Sequence, residues 1–149
     1  MRQEILLCEI NEYEKIFNRY SKYFAPGNLV FLRGELGSGK TTFVRFVCGK
    51  LEVSDLVSSP SFAIANVYHT SDFRIAHLDL YRLDTPAQLD DIGAQDFLDQ
   101  NTLVFVEWPE NCPGGFPPAD LEIAFSFPDK EDGADTDSTY RCLCITVGD

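Results

Sequence analysis

The sequence predicts an α/β fold in which a mixed, mostly parallel sheet carries flanking helices and ends in a C-terminal antiparallel hairpin. Short continuous apolar runs, typical of strands buried on both faces, alternate with helix-forming segments along most of the chain. Two strand-like runs close the sequence, with an acidic stretch between them. With 149 residues, 44% of them hydrophobic, the chain can build one substantial core, so we expect a single domain over residues 1–149.

The N-terminal part predicts a strand followed by an amphipathic helix. Residues 5–10 form the strand, and the segment from Asn11 to Glu14 has the pattern of a capping box with Asn11 as the N-cap. Aromatic and aliphatic residues then recur at helical spacing, at Tyr13, Ile16, Phe17, Tyr20 and Phe24. The turn-forming residues 25–28 should end this helix.

The remaining elements follow from the same patterns. The run Leu29–Leu32 predicts a buried strand, and a helix is expected from about Lys40 to Leu51. Downstream, the patterns predict strands at residues 62–68, 73–79 and 103–106, and a terminal hairpin of residues 121–127 with 140–147. They also predict a helical region at 85–100, with Pro86 near its start and Gly93 interrupting it.

The net charge of −12, with a sequence pI near 4.4, bears on the possible partners. Phosphate contacts dominate nucleic-acid affinity, so an acidic chain is not expected to grip RNA or DNA unaided over a wide surface. Part of the charge is local, because residues 129–137 hold five acids and read as a solvated loop. No run of eighteen apolar residues exists and no export signal is visible, which predicts a cytoplasmic protein without a membrane span.

The strongest local signal is the segment Gly34-Glu-Leu-Gly-Ser-Gly-Lys-Thr41, which fits the phosphate-loop pattern G-x-x-x-x-G-K-[ST] without a mismatch. Glycines let successive N–H groups point inward at phosphate oxygens, and the following helix adds its positive dipole end. The pattern therefore predicts a P-loop NTPase-like fold that binds ATP and Mg²⁺. The residues assigned to the nucleotide are Gly37, Ser38, Gly39, Lys40, Thr41 and Thr42, with Thr41 also on the metal.

Two apolar strands end in a carboxylate, and both acids are candidates for the metal or for catalysis. Asp79 follows one such run and Glu107 follows the other. Ligands of parallel α/β sheets lie beyond the carboxyl ends of the strands, where both acids fall. A strand-end acid can equally be a helix cap or a surface charge, and the sequence leaves open which acid contacts Mg²⁺ directly.

Three further features surround these acids. The polar segment Ser58-Ser-Pro-Ser61 could order around a γ-phosphate, with Ser61 as the assigned contact, or could be a plain turn. Trp108, the only tryptophan, follows Glu107 and is expected either beside the site or in the core. His77 is expected to be a packed or capping histidine. The five cysteines form no C-x-x-C pair and are interpreted as buried thiols rather than zinc ligands or disulfides.

Taken together, these motifs resemble the TsaE (YjeE) family, small bacterial ATPases of tRNA threonylcarbamoyladenosine synthesis. The segments that carry the resemblance are Leu32–Thr42, Val57–Phe62, His77-Leu-Asp-Leu-Tyr-Arg-Leu83 and Val106-Glu-Trp-Pro-Glu110. They occur in the order and spacing of the family, and the similar stretch runs from about residue 10 to 127. The phosphate loop is shared by many families, whereas the last two segments are specific to this one.

The resemblance implies an ATPase that supports a TsaB–TsaD heterodimer, which transfers a threonylcarbamoyl group to the adenosine next to the anticodon of tRNA. It implies that Thr41 and Glu107 hold magnesium, that Lys40 and Asp79 serve catalysis, and that Trp108 lies beside the active site. The corner at Ile10 and Asn11 would pack near the adenine. Where the family usually has threonine, this chain has Ser61, and the acidic 129–137 segment has no obvious family counterpart.

Two other functions share the phosphate loop. A small-metabolite kinase would need an acceptor pocket and a basic lid, and residues 111–120 offer no arginine cluster for one. A nucleotide-gated scaffold would bind ATP without cleaving it. An arginine that stabilises the transition state could be Arg33, Arg45 or Arg82, or could come from a partner.

Overall fold

The computed structural model describes residues 2–60, 63–128 and 139–149. Within these ranges the chain forms seven strands and three α-helices, the numbers that the sequence predicts. The strands are β1 (Arg2–Glu9), β2 (Leu29–Arg33), β3 (Ala65–His69), β4 (Arg74–Asp79), β5 (Thr102–Glu107), β6 (Leu121–Ser126) and β7 (Tyr140–Val147). The helices are α1 (Tyr13–Arg19), α2 (Lys40–Lys50) and α3 (Pro86–Asp91).

All seven strands form one sheet in the order β1-β7-β6-β2-β5-β4-β3. The four central strands β6, β2, β5 and β4 are parallel to one another. The flanking pairs β1–β7, β7–β6 and β4–β3 are antiparallel. The predicted mixed α/β class, with parallel strands at the centre and an antiparallel C-terminal pair, is therefore confirmed.

The start of the first helix differs from the prediction in its cap. The capping box is formed by Glu9 and Glu12, two residues earlier than expected, and a short 3-10 turn at Ile10–Glu12 precedes α1. Asn11 is therefore not the N-cap, because the chain bends directly at the end of β1. The predicted apolar face is correct, since Tyr13 and Ile16 are buried against the core.

The helix α2 packs one side against the sheet. Phe43, Val44, Val47 and Cys48 are buried, and their i, i+4 spacing places them in one stripe. The central strand β5 is buried along its whole length, which explains its continuous apolar sequence. This packing fixes the start of α2 against the carboxyl ends of the central strands.

The predicted helical region at residues 85–100 is interrupted. The helix α3 has a capping box between Thr85 and Gln88, with Pro86 in its first turn. Gly93 adopts a left-handed conformation with φ of 68°, and only a 3-10 turn, Ala94–Phe97, follows. A positive φ cannot continue an α-helix, so the predicted interruption at Gly93 is confirmed, and the part of the region after it is a 3-10 turn.

Three further predictions concern the strand at residues 62–68, the acidic segment and the absence of a membrane span. The strand expected at 62–68 is found at Ala65–His69, and Ser61 and Phe62 lie outside the described residues. The acidic 129–137 segment also lies outside the described residues. Within the part of the chain that is described, no helix is long and apolar enough to cross a membrane.

Candidate functional site

Three parallel strands end side by side at one edge of the sheet. In their register, Leu32 of β2 is paired with Glu107 of β5, and Glu107 is paired with Asp79 of β4. The loop of residues 34–39 leaves this edge after β2 and leads directly into α2. The glycine-rich loop and the two strand-end acids, which are far apart in sequence, are thus brought together.

The first glycine of the loop is required by close packing. Gly34 has φ of 140°, and a β-carbon at this position would stand 2.5 Å from the carbonyl oxygen of Phe125 and 2.7 Å from Ser38 Oγ. Distances this short are not tolerated between non-bonded atoms, so only glycine lets the loop lie against β6. At the other end of the loop, left-handed Gly39 precedes α2. The early N–H groups of α2 have no partner within the helix and face the loop.

Lys40 is buried, with 5% of its surface exposed, at the centre of this arrangement. Its ammonium group donates to the carbonyl oxygens of Gly34 and Glu35, the second at 3.0 Å, and lies 4.5 Å from the centre of the Trp108 ring. Burial lowers the pKa of Lys40, and the charges of nearby acids, chiefly Glu107, oppose that shift. The cation is therefore held largely by neutral groups, which an anionic ligand could replace.

Glu107 connects three functional groups. Its carboxylate is 3% exposed, and the Thr41 hydroxyl lies 3.1 Å from each of its oxygens. The Nε2 atom of His77, a residue that is completely buried, lies 2.7 Å from Glu107 Oε2. His77 is thus packed in the interior, as expected, and it is also paired with a strand-end acid.

The oxygen atoms at this edge suit a hard divalent cation. Thr41 supplies a hydroxyl and Glu107 and Asp79 supply carboxylates, the ligand types that Mg²⁺ prefers. The described residues contain no group of three or more His, Cys, Asp or Glu side chains that could hold a metal by themselves. Such a site fits Mg²⁺, which usually binds through one or two carboxylates together with phosphate oxygens and water.

Local main-chain structure fixes the positions of the Asp79 and Trp108 side chains. The Asp79 carboxylate accepts the N–H of Tyr81 at 3.0 Å, and the residue is 8% exposed. Trp108 has a left-handed main chain, with φ of 57°, which is rare for an aromatic residue. Its ring contacts that of Tyr81 at 5.1 Å between centres, in addition to the Lys40 ammonium group. Backbone outliers of this kind are concentrated at functional sites.

A cleft of about 280 Å³ lies over the loop and the strand ends. It is lined by predicted residues, namely Gly37, Ser38, Gly39, Lys40, Thr41, Thr42, Asp79, Glu107 and Trp108. Asn11 is exposed and is not among the lining residues, whereas its neighbour Ile10 is. The assigned contact of Asn11 with the nucleotide stays a prediction, and so does that of Ser61, which lies outside the described residues.

The main residue that the sequence did not indicate is Arg141. It lies on β7, is 8% exposed and lines the cleft. Its Nε atom donates to the Ser38 carbonyl oxygen at 2.9 Å, and its guanidinium group lies 4.5 Å from the centre of the Phe127 ring. No local motif marks this arginine, because only the placement of β7 between β1 and β6 brings it to the phosphate loop.

The three arginines that the sequence offered for the transition state do not share the position of Arg141 in the cleft. Arg33 forms ion pairs with Glu122 and Glu110, at 2.6 and 3.1 Å. Arg45 donates to the main-chain oxygen of Val57 at 3.4 Å. Arg82 is exposed. None of these three lines the cleft, so an arginine supplied by a partner stays a prediction.

Comparison with known proteins points to one family. The sequence model of the family described as "Threonylcarbamoyl adenosine biosynthesis protein TsaE" matches residues 7–134, a range that includes 34–42, Asp79 and Glu107. Similar curated proteins carry the name "tRNA threonylcarbamoyladenosine biosynthesis protein TsaE". The one from Rickettsia felis is 34% identical over 110 residues, covering 71% of this chain and 62% of the relative. The one from Haemophilus influenzae is 33% identical over 101 residues, covering 68% and 64%.

The Bacillus subtilis protein of the same name is 30% identical over 113 residues, covering 75% of this chain and 70% of the relative. The match thus spans a little under two thirds of the length of the Rickettsia and Haemophilus relatives. Among solved structures, the crystal structure of Bacillus subtilis YdiB superposes with a TM-score of 0.71 at 24% identity. The superposition covers 98% of this chain and 86% of the other. At that identity, the structural match supports the fold.

Proposed function

Because the chain belongs to the TsaE family of threonylcarbamoyl adenosine biosynthesis proteins, we propose that it is a Mg²⁺-dependent ATPase. It would support a TsaB–TsaD complex in the threonylcarbamoylation of the adenosine next to the anticodon of tRNA. The observation that carries the proposal is the hydrogen bond between the Thr41 hydroxyl and the buried Glu107 carboxylate at the mouth of the phosphate loop. A phosphate loop alone binds anions, whereas this pairing also provides a place for a cation.

The phosphates would be bound by the loop and by Lys40. Main-chain N–H groups of residues 37–42 lie at the positive end of the α2 dipole, where anions are stabilised. The Lys40 ammonium group would exchange its carbonyl partners, Gly34 and Glu35, for phosphate oxygens. The Trp108 ring would keep the ammonium group on the cleft side during this exchange.

Thr41 and Glu107 would hold the cation, either directly or through water. When bound, Mg²⁺ would neutralise charge on the β- and γ-phosphates. Glu107 is fixed by both Thr41 and His77, so its oxygens need little rearrangement before binding.

Hydrolysis, as opposed to binding alone, is supported by Asp79. Its carboxylate lines the cleft and lies at the end of the strand next to that of Glu107. A carboxylate in this position can orient a water molecule for attack on the γ-phosphate. The alternatives of a gated scaffold or a kinase do not explain a second buried acid as directly.

The acidic surface favours action through a partner. With a net charge of −12, the chain would approach tRNA only as part of a complex whose other subunits contact the phosphates. If the partner also supplies an arginine to the transition state, the isolated chain should hydrolyse ATP very slowly, and the complex should hydrolyse it faster.

The test is reconstitution with a TsaB–TsaD heterodimer, ATP, Mg²⁺ and tRNA. Wild-type chain should support multiple turnovers of tRNA modification and release phosphate to water. Lys40→Ala and Glu107→Gln should not. Glu52→Gln, an exposed residue just beyond α2, is the matched control and should behave as wild type.

Three outcomes would contradict the proposal. Equal turnover with Lys40→Ala would show that the phosphate loop is not used. Turnover without phosphate release would favour the gated scaffold. Transfer of the phosphate to a small metabolite, with no effect on tRNA modification, would favour the kinase.

A further inference from the structure

A line of buried polar groups connects Glu107 with the main chain of the loop at residues 57–60. His77 Nε2 lies 2.7 Å from Glu107 Oε2, and His77 Nδ1 lies 3.5 Å from the Tyr68 hydroxyl. That hydroxyl donates to the carbonyl oxygen of Ser58 at 2.9 Å. His77 is completely buried and Tyr68 is 3% exposed, so the line runs through the protein interior.

Packing alone does not explain why His77 and Glu107 are paired in the protein interior. The neighbours of His77 on β4, Ala76 and Leu78, are apolar and completely buried. Removing an imidazole and a carboxylate from water is costly, and replacing a buried pair with apolar residues is often neutral or stabilising. Apolar packing at this position therefore does not require a histidine, whereas the Glu107 carboxylate is held by His77 together with Thr41.

The two ends of the line lie at the same cleft. At one end, Glu107 accepts the Thr41 hydroxyl, next to the phosphate loop. At the other end, Ser59, which directly follows Ser58, also lines the cleft. The Ser58 carbonyl additionally accepts the side-chain amide of Asn66 at 3.3 Å, so the loop is anchored on β3. The two ends are thus joined by a short series of polar contacts.

We propose that His77 is a positioning residue for Glu107, and that Tyr68 couples this pair to the 57–60 loop. Binding of Mg²⁺ with nucleotide at Glu107 would then be linked to the placement of Ser59 beside the cleft. The inference rests on the proposed function, because it assigns roles to residues behind the same site. The contact of His77 Nε2 with Glu107 Oε2 would hold one carboxylate oxygen in place and leave Oε1 and the Thr41 hydroxyl available to a cation.

The experiment tests two contacts separately, that of His77 with Glu107 and that of Tyr68 with the 57–60 loop. His77→Leu removes the hydrogen bond to Glu107, and His77→Gln restores a donor of similar reach. Tyr68→Phe removes only the hydroxyl that holds Ser58, and Tyr23→Phe, a half-buried residue away from the cleft, is its matched control. For each variant, ATP affinity is measured with Mg²⁺ and with EDTA. Amide hydrogen exchange of the 57–60 loop, at residues 57–59 because Pro60 has no amide hydrogen, is measured with and without Mg²⁺ and ATPγS.

We expect His77→Leu to reduce the gain in ATP affinity that Mg²⁺ provides by about 10- to 100-fold, the usual effect of losing a group that orients a metal ligand. Affinity in EDTA should change by less than about threefold, and His77→Gln should recover most of the gain. Tyr68→Phe should keep most of the gain but lose the ligand-induced protection of residues 57–60. Tyr23→Phe should match wild type in both measurements.

The inference is overturned if His77→Leu shows the wild-type gain from Mg²⁺, or if Tyr68→Phe shows the wild-type protection. If His77→Leu does not fold, the other two variants still decide the matter. A folded His77→Gln that has lost the gain from Mg²⁺ would contradict the positioning by a hydrogen-bond donor, and unchanged protection in Tyr68→Phe would remove the coupling. A wild-type chain that binds no nucleotide would overturn the proposed function and this inference together. Nucleotide binding with indistinguishable variants would overturn this inference alone.

Discussion

Replacing Gly34 by alanine should destabilise the protein more than the same change at Gly37, although both lie in the phosphate loop. A β-carbon at Gly34 would stand 2.5 Å from the main-chain oxygen of Phe125 and 2.7 Å from Ser38 Oγ. At Gly37, no atom lies within 4 Å of such a carbon. Both residues have positive φ, at 140° and 75°, so alanine is conformationally strained at both.

The expected difference in the free energy of unfolding comes from the contribution that the two variants do not share. Strain at positive φ costs alanine about 1–3 kcal/mol at either position. Both substitutions also reduce the entropy of the unfolded chain, which offsets about 0.4–1 kcal/mol. Only Gly34→Ala adds a clash with the main chain of β6, and overpacking of this kind costs about 1–3 kcal/mol. Gly34→Ala should therefore be less stable than Gly37→Ala by about 1–3 kcal/mol.

Urea unfolding followed by circular dichroism, without nucleotide, measures this difference directly. Both variants should unfold with the wild-type m-value, so that the midpoints report stability alone. Equal loss of stability in the two variants, or a greater loss in Gly37→Ala, would refute the reasoning that the loop is pressed against β6 at Gly34.

Three further predictions concern single side chains. Burial lowers the pKa of Lys40 below its ordinary value of 10.5, whereas a bound polyphosphate favours the protonated form. ATP affinity should therefore fall as pH rises through the lowered pKa, and an affinity that titration calorimetry finds constant up to pH 10.5 would contradict this prediction. Arg141→Lys keeps the charge but loses the Nε donor to Ser38, so its ATP affinity should fall by about 10-fold or more. An unchanged dissociation constant would show that Arg141 does not order the loop. Burial raises the pKa of the Cys48 thiol to about 12, so a disulfide reagent at pH 8 should modify it only after unfolding. Rapid labelling of Cys48 in the native chain, located by mass spectrometry, would contradict its buried position.

The parts of the site that the sequence predicted are those set by short-range rules. The phosphate loop has a fixed residue pattern between a strand and a helix, and residues 34–42 follow it. Asp79 and Glu107 each end an apolar strand, and parallel strands share one ligand edge. These rules need no knowledge of strand order, so the sequence alone was enough to group these residues.

The remaining contacts depend on long-range register. Arg141 reaches Ser38 because β7 lies between β1 and β6, and no local pattern encodes that order. The pairing of His77 with Glu107 follows from the register of β4 with β5, in which His77 stands two residues before the strand-end acid of its own strand. Periodicity indicates that His77 is buried, but the identity of its partner comes only from the sheet.

The cap of the first helix was predicted at the wrong residue because two residues fit the capping-box pattern. Both Glu9 and Asn11 are followed three residues later by a glutamate, and the structure uses the earlier pair for the cap. Asn11 is the better N-cap by residue preference, but the bend at the end of β1 decides the position. At Gly93, by contrast, no signal competed, and the predicted interruption of the helical region is where its positive φ ends the α-helix.

The central claim is that the loop at residues 34–42 is a binding site for a nucleoside triphosphate with magnesium. Titration calorimetry of the purified chain with ATP and Mg²⁺ tests it most directly. We predict saturable binding by wild type and by Lys50→Ala, which removes a lysine at the far end of the same helix, and no detectable binding by Lys40→Ala. No saturable heat with wild type, or equal binding by Lys40→Ala, would contradict the account.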